Sequence, residues 1–190
     1  MTSAPDRAHA WSLLTELTDN PALVKHAIAV EAAMRAYACR FGEDEETWGV
    51  VGLIHDFDYQ QNPTEETHLH VGARILRERG WPEELVRAVS SHADYMGVPR
   101  DTRMAQALFA VDELTGFLTA CALVRPDRSI AEVNPSSVKK KLKDKAFARG
   151  VNREDVRRGA EELGVELEEH IVFVRNAMAT IAAQLELPPR

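Results

Sequence analysis

His55 and Asp56 stand side by side at the end of an apolar run, and four more residues able to bind a metal are spread along the flanking segments. His26 lies one expected helix earlier, His68 and His92 one and two helices later, and Asp112 in the apolar helix after those. Asp112 is flanked by Ala107, Leu108, Phe109, Val111 and Leu114. A carboxylate in such surroundings is costly to desolvate alone, so it either takes up a proton or finds a cation. A divalent ion meets that need, and imidazole with carboxylate suits several metals. One or two ions are expected, with Fe, Mn, Zn, Ni, Co and Mg all left open by the residue types.

Helical phase selects among the seven histidines. His26 follows Leu23 by three and precedes Val30 by four, which puts it at the border of a buried face. His68 leads Val71 and Ile75, and His92 trails Leu85 and Val89, so both are expected to face inward. His70 lines up with Arg74 and Arg77 on a solvated side, and His9 and His170 have no such company. Four inward histidines from four helices exceed what packing requires.

The elements that must position these groups all read as helices. Asn20-Pro21 supplies a cap and a first-turn proline, and Leu23, Ala27, Val30, Met34 and Tyr37 form one face behind it. Acidic residues Glu43 to Glu46 open a helix carrying Trp48, Val51 and His55. A loop over Asp58 to Thr67 precedes a helix from His68 to Arg79, and Trp81-Pro82 starts another that runs to Ala93. Asp101-Thr102 caps the apolar helix Met104 to Val124, in which Asp112 and Glu113 argue for a core helix over a membrane span. Beyond it come a basic helix, Lys139 to Phe147, a helix Arg153 to Leu163 capped by Asn152, and a last one from Glu166 to Leu187. Trp48, Trp81 and Phe109 are expected in the core. The composition shift between Pro126 and Pro135 divides a helical core, 1–125, from a C-terminal helical extension, 126–190, expected to pack on the same domain.

Composition narrows the function classes. Hydrophobic residues make up 45% and charged residues 28%, as in a globular protein, and the net charge is −7. An acidic surface argues against nucleic acid and anionic membranes as partners. Lys139, Lys140, Lys141, Lys143 and Lys145, without interleaved aromatics, read as a solvated face. Cys39 and Cys121, both in apolar helical stretches, read as buried, reduced thiols, and Met1 to Asp19 shows no apolar stretch behind a basic one; a cytoplasmic setting is the expectation. The oligomeric state is left open.

From Asn20 to Val124 the chain resembles the HD superfamily, whose signature is His…His-Asp…Asp. The matching segments are Lys25-His26-Ala27, Ile54-His55-Asp56-Phe57 and Ala110-Val111-Asp112-Glu113. The resemblance implies an all-α HD-domain helical bundle in which His26, His55, Asp56 and Asp112 hold a divalent metal, and hydrolysis of phosphate esters. The run His68-Leu69-His70-Val71-Gly72-Ala73-Arg74-Ile75-Leu76, with Ser91-His92-Ala93, is similar to the element that binds a second ion in two-metal members. Asp56 would then bridge, with His68 and His92 on the second ion. Ala93 stands where the HD-GYP group has another histidine, and the lysine that often follows the HD pair is missing from His55-Asp56-Phe57-Asp58-Tyr59.

The expected activity is hydrolysis of a small phosphorylated compound, a nucleotide among the candidates, by metal-activated water. Asp56 or Asp58 would orient that water, and Lys25, Arg35 and Arg74 are candidates to contact phosphate. Two alternatives stand beside it: a di-iron HD-fold oxygenase, and a non-catalytic signalling or binding module that metal staples together.

Overall fold

A computed structural model describes residues 5–188. Among the described residues the protein is helical without a strand. It divides into two compact units, Met1–Leu108 and Phe109–Arg190, with helix α6, Arg103–Leu123, running through the division.

In the first unit, local sequence fixes where each helix begins. Asp6 accepts the His9 N–H at 3.0 Å and opens α1, Arg7–Leu17, a segment to which the sequence pattern assigned no element. Asn20 accepts the Ala22 N–H at 2.9 Å and opens α2, Pro21–Phe41, which Gly42 ends at φ 71°. Asp44 accepts the Thr47 N–H at 2.7 Å and opens α3, Glu45–Ile54. Helices α4, His70–Glu78, and α5, Glu83–Ser90, follow, then a single 3-10 turn at Asp94–Met96.

Helix α3 is the hub of this unit: α1, α2 and α5 all pack on it, and α4 packs on α5. Its glycines allow the closest approach. A Cβ at Gly52 would stand 3.0 Å from the Glu31 Cα on α2, so only glycine lets the two backbones meet there. Val30, Met34 and Tyr37 of α2 are buried with Val50, Val51, Leu53 and Ile54 of α3. Glu31 is buried in the same layer, and it accepts from Arg7 Nε at 2.7 Å and Arg35 Nε at 3.0 Å, which compensates its desolvation.

In the second unit, α7, Pro135–Lys141, and α8, Arg153–Leu163, each pack on α9, Leu167–Thr180. A Cβ at Gly159 would fall 2.6 Å from the Ala110 Cα, so α8 lies against the α6 backbone. His170 is buried and its Nε2–H donates to the Ala110 carbonyl at 2.8 Å.

Several expected boundaries differ. The basic helix starts at Pro135, as the Asn134-Pro135 cap implies, but stops at Lys141 and not at Phe147; Asp144 then takes the Ala146 N–H at 2.9 Å in a local turn. The last helix stops at Thr180, short of Leu187, because the chain turns to bury Ala182, Leu185 and Leu187. The helix expected to reach Ala93 ends at Ser90. Trp48 and Phe109 are buried as expected, whereas Trp81 is only half-buried at the turn before α5. Helix α6 is long and apolar enough to cross a membrane, yet 61% of its most apolar window is buried inside the protein, as in a core helix.

Candidate metal centre

Two helix C-termini supply the first ligands. His55 is the C-cap of α3, and its ring donates Nδ1–H to the Gly52 carbonyl at 2.8 Å. His92 lies just past α5 and donates Nδ1–H to the Val89 carbonyl at 2.7 Å. Each ring thus adds a donor to a carbonyl in the last turn of its helix. With Nδ1 held by the backbone, Nε2 is the nitrogen each ring turns toward Asp56. The partial negative charge at both helix ends favours a cation between them.

Asp56 lies among these nitrogens. Its Oδ1 is 3.1 Å from His68 Nε2 and 3.3 Å from His92 Nε2, while its Oδ2 is 3.5 Å from His55 Nε2. Asp56, His68 and His92 can therefore offer three ligand atoms within 4.8 Å of one another. On the other side, His26 Nε2 approaches His55 Nε2 to 3.2 Å. Two imidazole nitrogens at that distance need a shared proton or a shared cation between them. Burial acts to raise the Asp56 carboxyl, but charge on His55 and hydrogen bonds from His55, His68 and His92 outweigh it and hold the group well below the usual carboxylate range. Burial acts to lower His68, and Asp56 and Asp58 outweigh that, pushing it up to about 9.

His68 reaches this cluster by a route that helical phase did not anticipate. It precedes α4, in a turn where Leu69 adopts φ 61°, and it is buried there. Leu69, at φ 61° and ψ −32°, is itself buried, and so sparsely populated a conformation costs on the order of 1–3 kcal/mol of backbone strain. Its N–H, at 3.1 Å, and that of Gly72, at 3.0 Å, both donate to Asp58 Oδ2.

Asp58 differs from its expected role. It was a candidate to orient water, but it is completely buried, and its other oxygen accepts from His68 Nδ1 at 3.0 Å. With three donors on a carboxylate closed off from solvent, Asp58 is engaged with His68 and the turn before α4. Gly72 is needed for this: a Cβ there would stand 2.9 Å from the Asp58 carboxyl carbon.

The remaining candidates separate. Arg35 is committed to Glu31 at 3.0 Å and Glu46 at 2.9 Å, so it is a structural ion pair and not a phosphate contact. Arg74 is exposed on α4, 3.9 Å from Glu78. Lys25 is half-buried and adjoins His26 on α2. His70 is exposed, as its phase implied. Asp112 lies half-buried on α6, in the second unit. Residue-type reasoning missed Tyr59 and Tyr95, both partly exposed, whose rings stand 5.1 Å and 6.5 Å from the His68 ring. Three residues past Asp56, Tyr59 was close enough in sequence to be considered.

The HD domain family model matches residues 23–116, a span holding His26, His55, Asp56, His68, His92 and Asp112. No curated protein matches the chain, and no solved structure does. The HD domain is characteristic of metal-dependent phosphohydrolases, and in this protein the signature His55 lies 3.2 Å from His26 and 3.5 Å from Asp56. The chain belongs to the HD-domain superfamily.

Proposed function

We propose that this protein is a two-metal hydrolase of a small phosphorylated compound, a nucleotide being one candidate. The observation that carries the reading is the division of Asp56, with one oxygen toward His68 and His92 and the other toward His55. The donor set fits divalent metal: imidazoles anchored through Nδ1 so that Nε2 faces inward, and a carboxylate among them. One ion would take His26, His55, Asp56 and Asp112, the set implied by the family signature; the other would take Asp56, His68 and His92. Bound there, such ions supply Lewis acidity toward a phosphoryl oxygen and make water nucleophilic near neutral pH.

The chain's own residues then have distinct roles. Asp56 would serve both groups and orient the attacking water. His55 and His92 present Nε2 from fixed rings. Lys25 and Arg74 would contact phosphate; Arg35 is held by Glu31 and Glu46.

The test is phosphate release from a panel of phosphomonoesters and nucleotides by chelator-stripped protein reloaded with single metals. Release that requires metal and disappears in Asp56→Ala is expected; release retained in that variant would refute the mechanism. The extra imidazoles of His68 and His92 also suit an iron pair, and that reading predicts visible absorption that changes with oxygen when iron is the metal supplied. If metal raises the melting temperature while every phosphoester stays uncleaved, the ions only staple the helices.

A further inference from the structure

Three of the histidines around Asp56 have their Nδ1 anchored, but not in the same way. For His55 and His92 the acceptor is the backbone carbonyl three residues earlier, which no side-chain substitution removes. For His68 the acceptor is a side chain, Asp58 Oδ1 at 3.0 Å. The presentation of His68 Nε2 toward Asp56 therefore depends on one carboxylate.

We infer that Asp58 is the positioning residue that decides whether the His68–His92 group holds an ion, by fixing which nitrogen of His68 carries the proton. The inference rests on the two-ion reading above. A carboxylate accepting from Nδ1 keeps a proton on that nitrogen, so Nε2 is the one that gives up its proton to bind an ion. Its second oxygen, held by the Leu69 and Gly72 N–H groups, stops the carboxylate from rotating away. Asp58 is also closed off from solvent, so water does not compete for Oδ1.

An amide at this position separates that role from simple stapling of the turn. In Asp58→Asn the side-chain carbonyl can still accept from Leu69 and Gly72, which leaves the NH2 facing His68 Nδ1. The ring must then accept at Nδ1 and carry its proton on Nε2, where it blocks coordination. The turn survives while the ligand is reversed.

The experiment is zinc stoichiometry and affinity of the full chain, wild type and Asp58→Asn, after chelator stripping and reloading. Long-range proton–nitrogen NMR of the zinc-loaded proteins reports the His68 tautomer alongside. The expected result is about two zinc per chain in wild type and about one in the variant, the second site weakened by about 10–100-fold. The same sample should show the His68 proton moving from Nδ1 to Nε2. Two zinc bound with unchanged affinity by the folded variant would overturn the role of Asp58 while leaving the two-ion reading intact. One zinc in wild type itself would overturn both, and is distinguishable because it needs no variant. Should Asp58→Asn fail to fold, Gly72→Ala decides, because its new Cβ would stand 2.9 Å from Asp58 Oδ1 and push it off His68. Selective weakening of the second zinc supports the inference; wild-type affinity at both sites refutes it.

Discussion

Replacing Gly52 by alanine tests whether α2 and α3 meet as closely as the site requires. The new Cβ would stand 3.0 Å from the Glu31 Cα and 3.1 Å from the Glu31 nitrogen, both backbone atoms that cannot swing aside. Carbons in ordinary contact sit about 3.5–4.0 Å apart, so the helices must separate by roughly 0.5–1 Å. Overpacking of this kind costs about 1–3 kcal/mol. Alanine's better helix propensity offsets about 0.5–1 kcal/mol of that. The net loss is on the order of 1–2 kcal/mol, which for a chain of this size lowers the melting temperature by about 2–8 °C. The control is Gly116→Ala in α6, where a Cβ meets nothing within 4 Å. There only the propensity gain remains, and the melting temperature should rise by about 1–4 °C. Circular dichroism melts of metal-stripped protein avoid confusing packing with ion binding. If Gly52→Ala stabilises as much as Gly116→Ala, the close approach of the two helices is wrong, and with it the geometry that brings His26 to His55.

Two further outcomes follow from single residues. Asp44→Ala removes the N-cap of α3 and should cost about 1 kcal/mol in urea unfolding at neutral pH. Hydrogen bonds from Thr47 hold the Asp44 carboxyl below its ordinary 3.8, so its contribution is present above that pH and lost on acidification through the lower folded value; the gap between variant and wild type should close in acid. Cys39, expected to be buried, is exposed near the end of α2, whereas burial pushes the Cys121 thiol up to about 11. At pH 8 about 0.1% of Cys121 is thiolate, so mass spectrometry after brief iodoacetamide treatment should find one label, on Cys39, and a second only in denaturant. Equal labelling of both in the native protein would contradict the burial of α6.

Much of the fold was legible because caps and apolar phase act locally. Asn20-Pro21 and Asp44 start their helices by hydrogen bonds reaching two or three residues ahead, and such signals survive in a bare sequence. His26 and His55 were placed by phase for the same reason. His68 was assigned the correct side for the wrong reason: the phase was that of a helix which starts only at His70, and a leucine at φ 61°, with no sequence marker, turns it inward. Asp58 and Arg35 were misassigned because their roles depend on partners supplied by tertiary structure. Asp58 is taken up by backbone N–H groups 11 and 14 residues ahead, and Arg35 by Glu31 and Glu46 at once. His170 gave no signal, since its partner is a backbone carbonyl 60 residues away, and every residue has one of those.

The histidines that end α3 and cap the exit of α5 bear on how the centre is assembled. Their rings are already fixed by their own helices through Gly52 and Val89, so the folding of the chain sets these donors in place without help from an ion. Little ordering is left for an incoming metal to accomplish at these two rings, unlike small domains that fold only around their metal. Exchange of one ion for another can then proceed in the folded state, and what occupies such a centre follows the supply of metals around the protein, in the order their affinities for nitrogen and oxygen donors dictate.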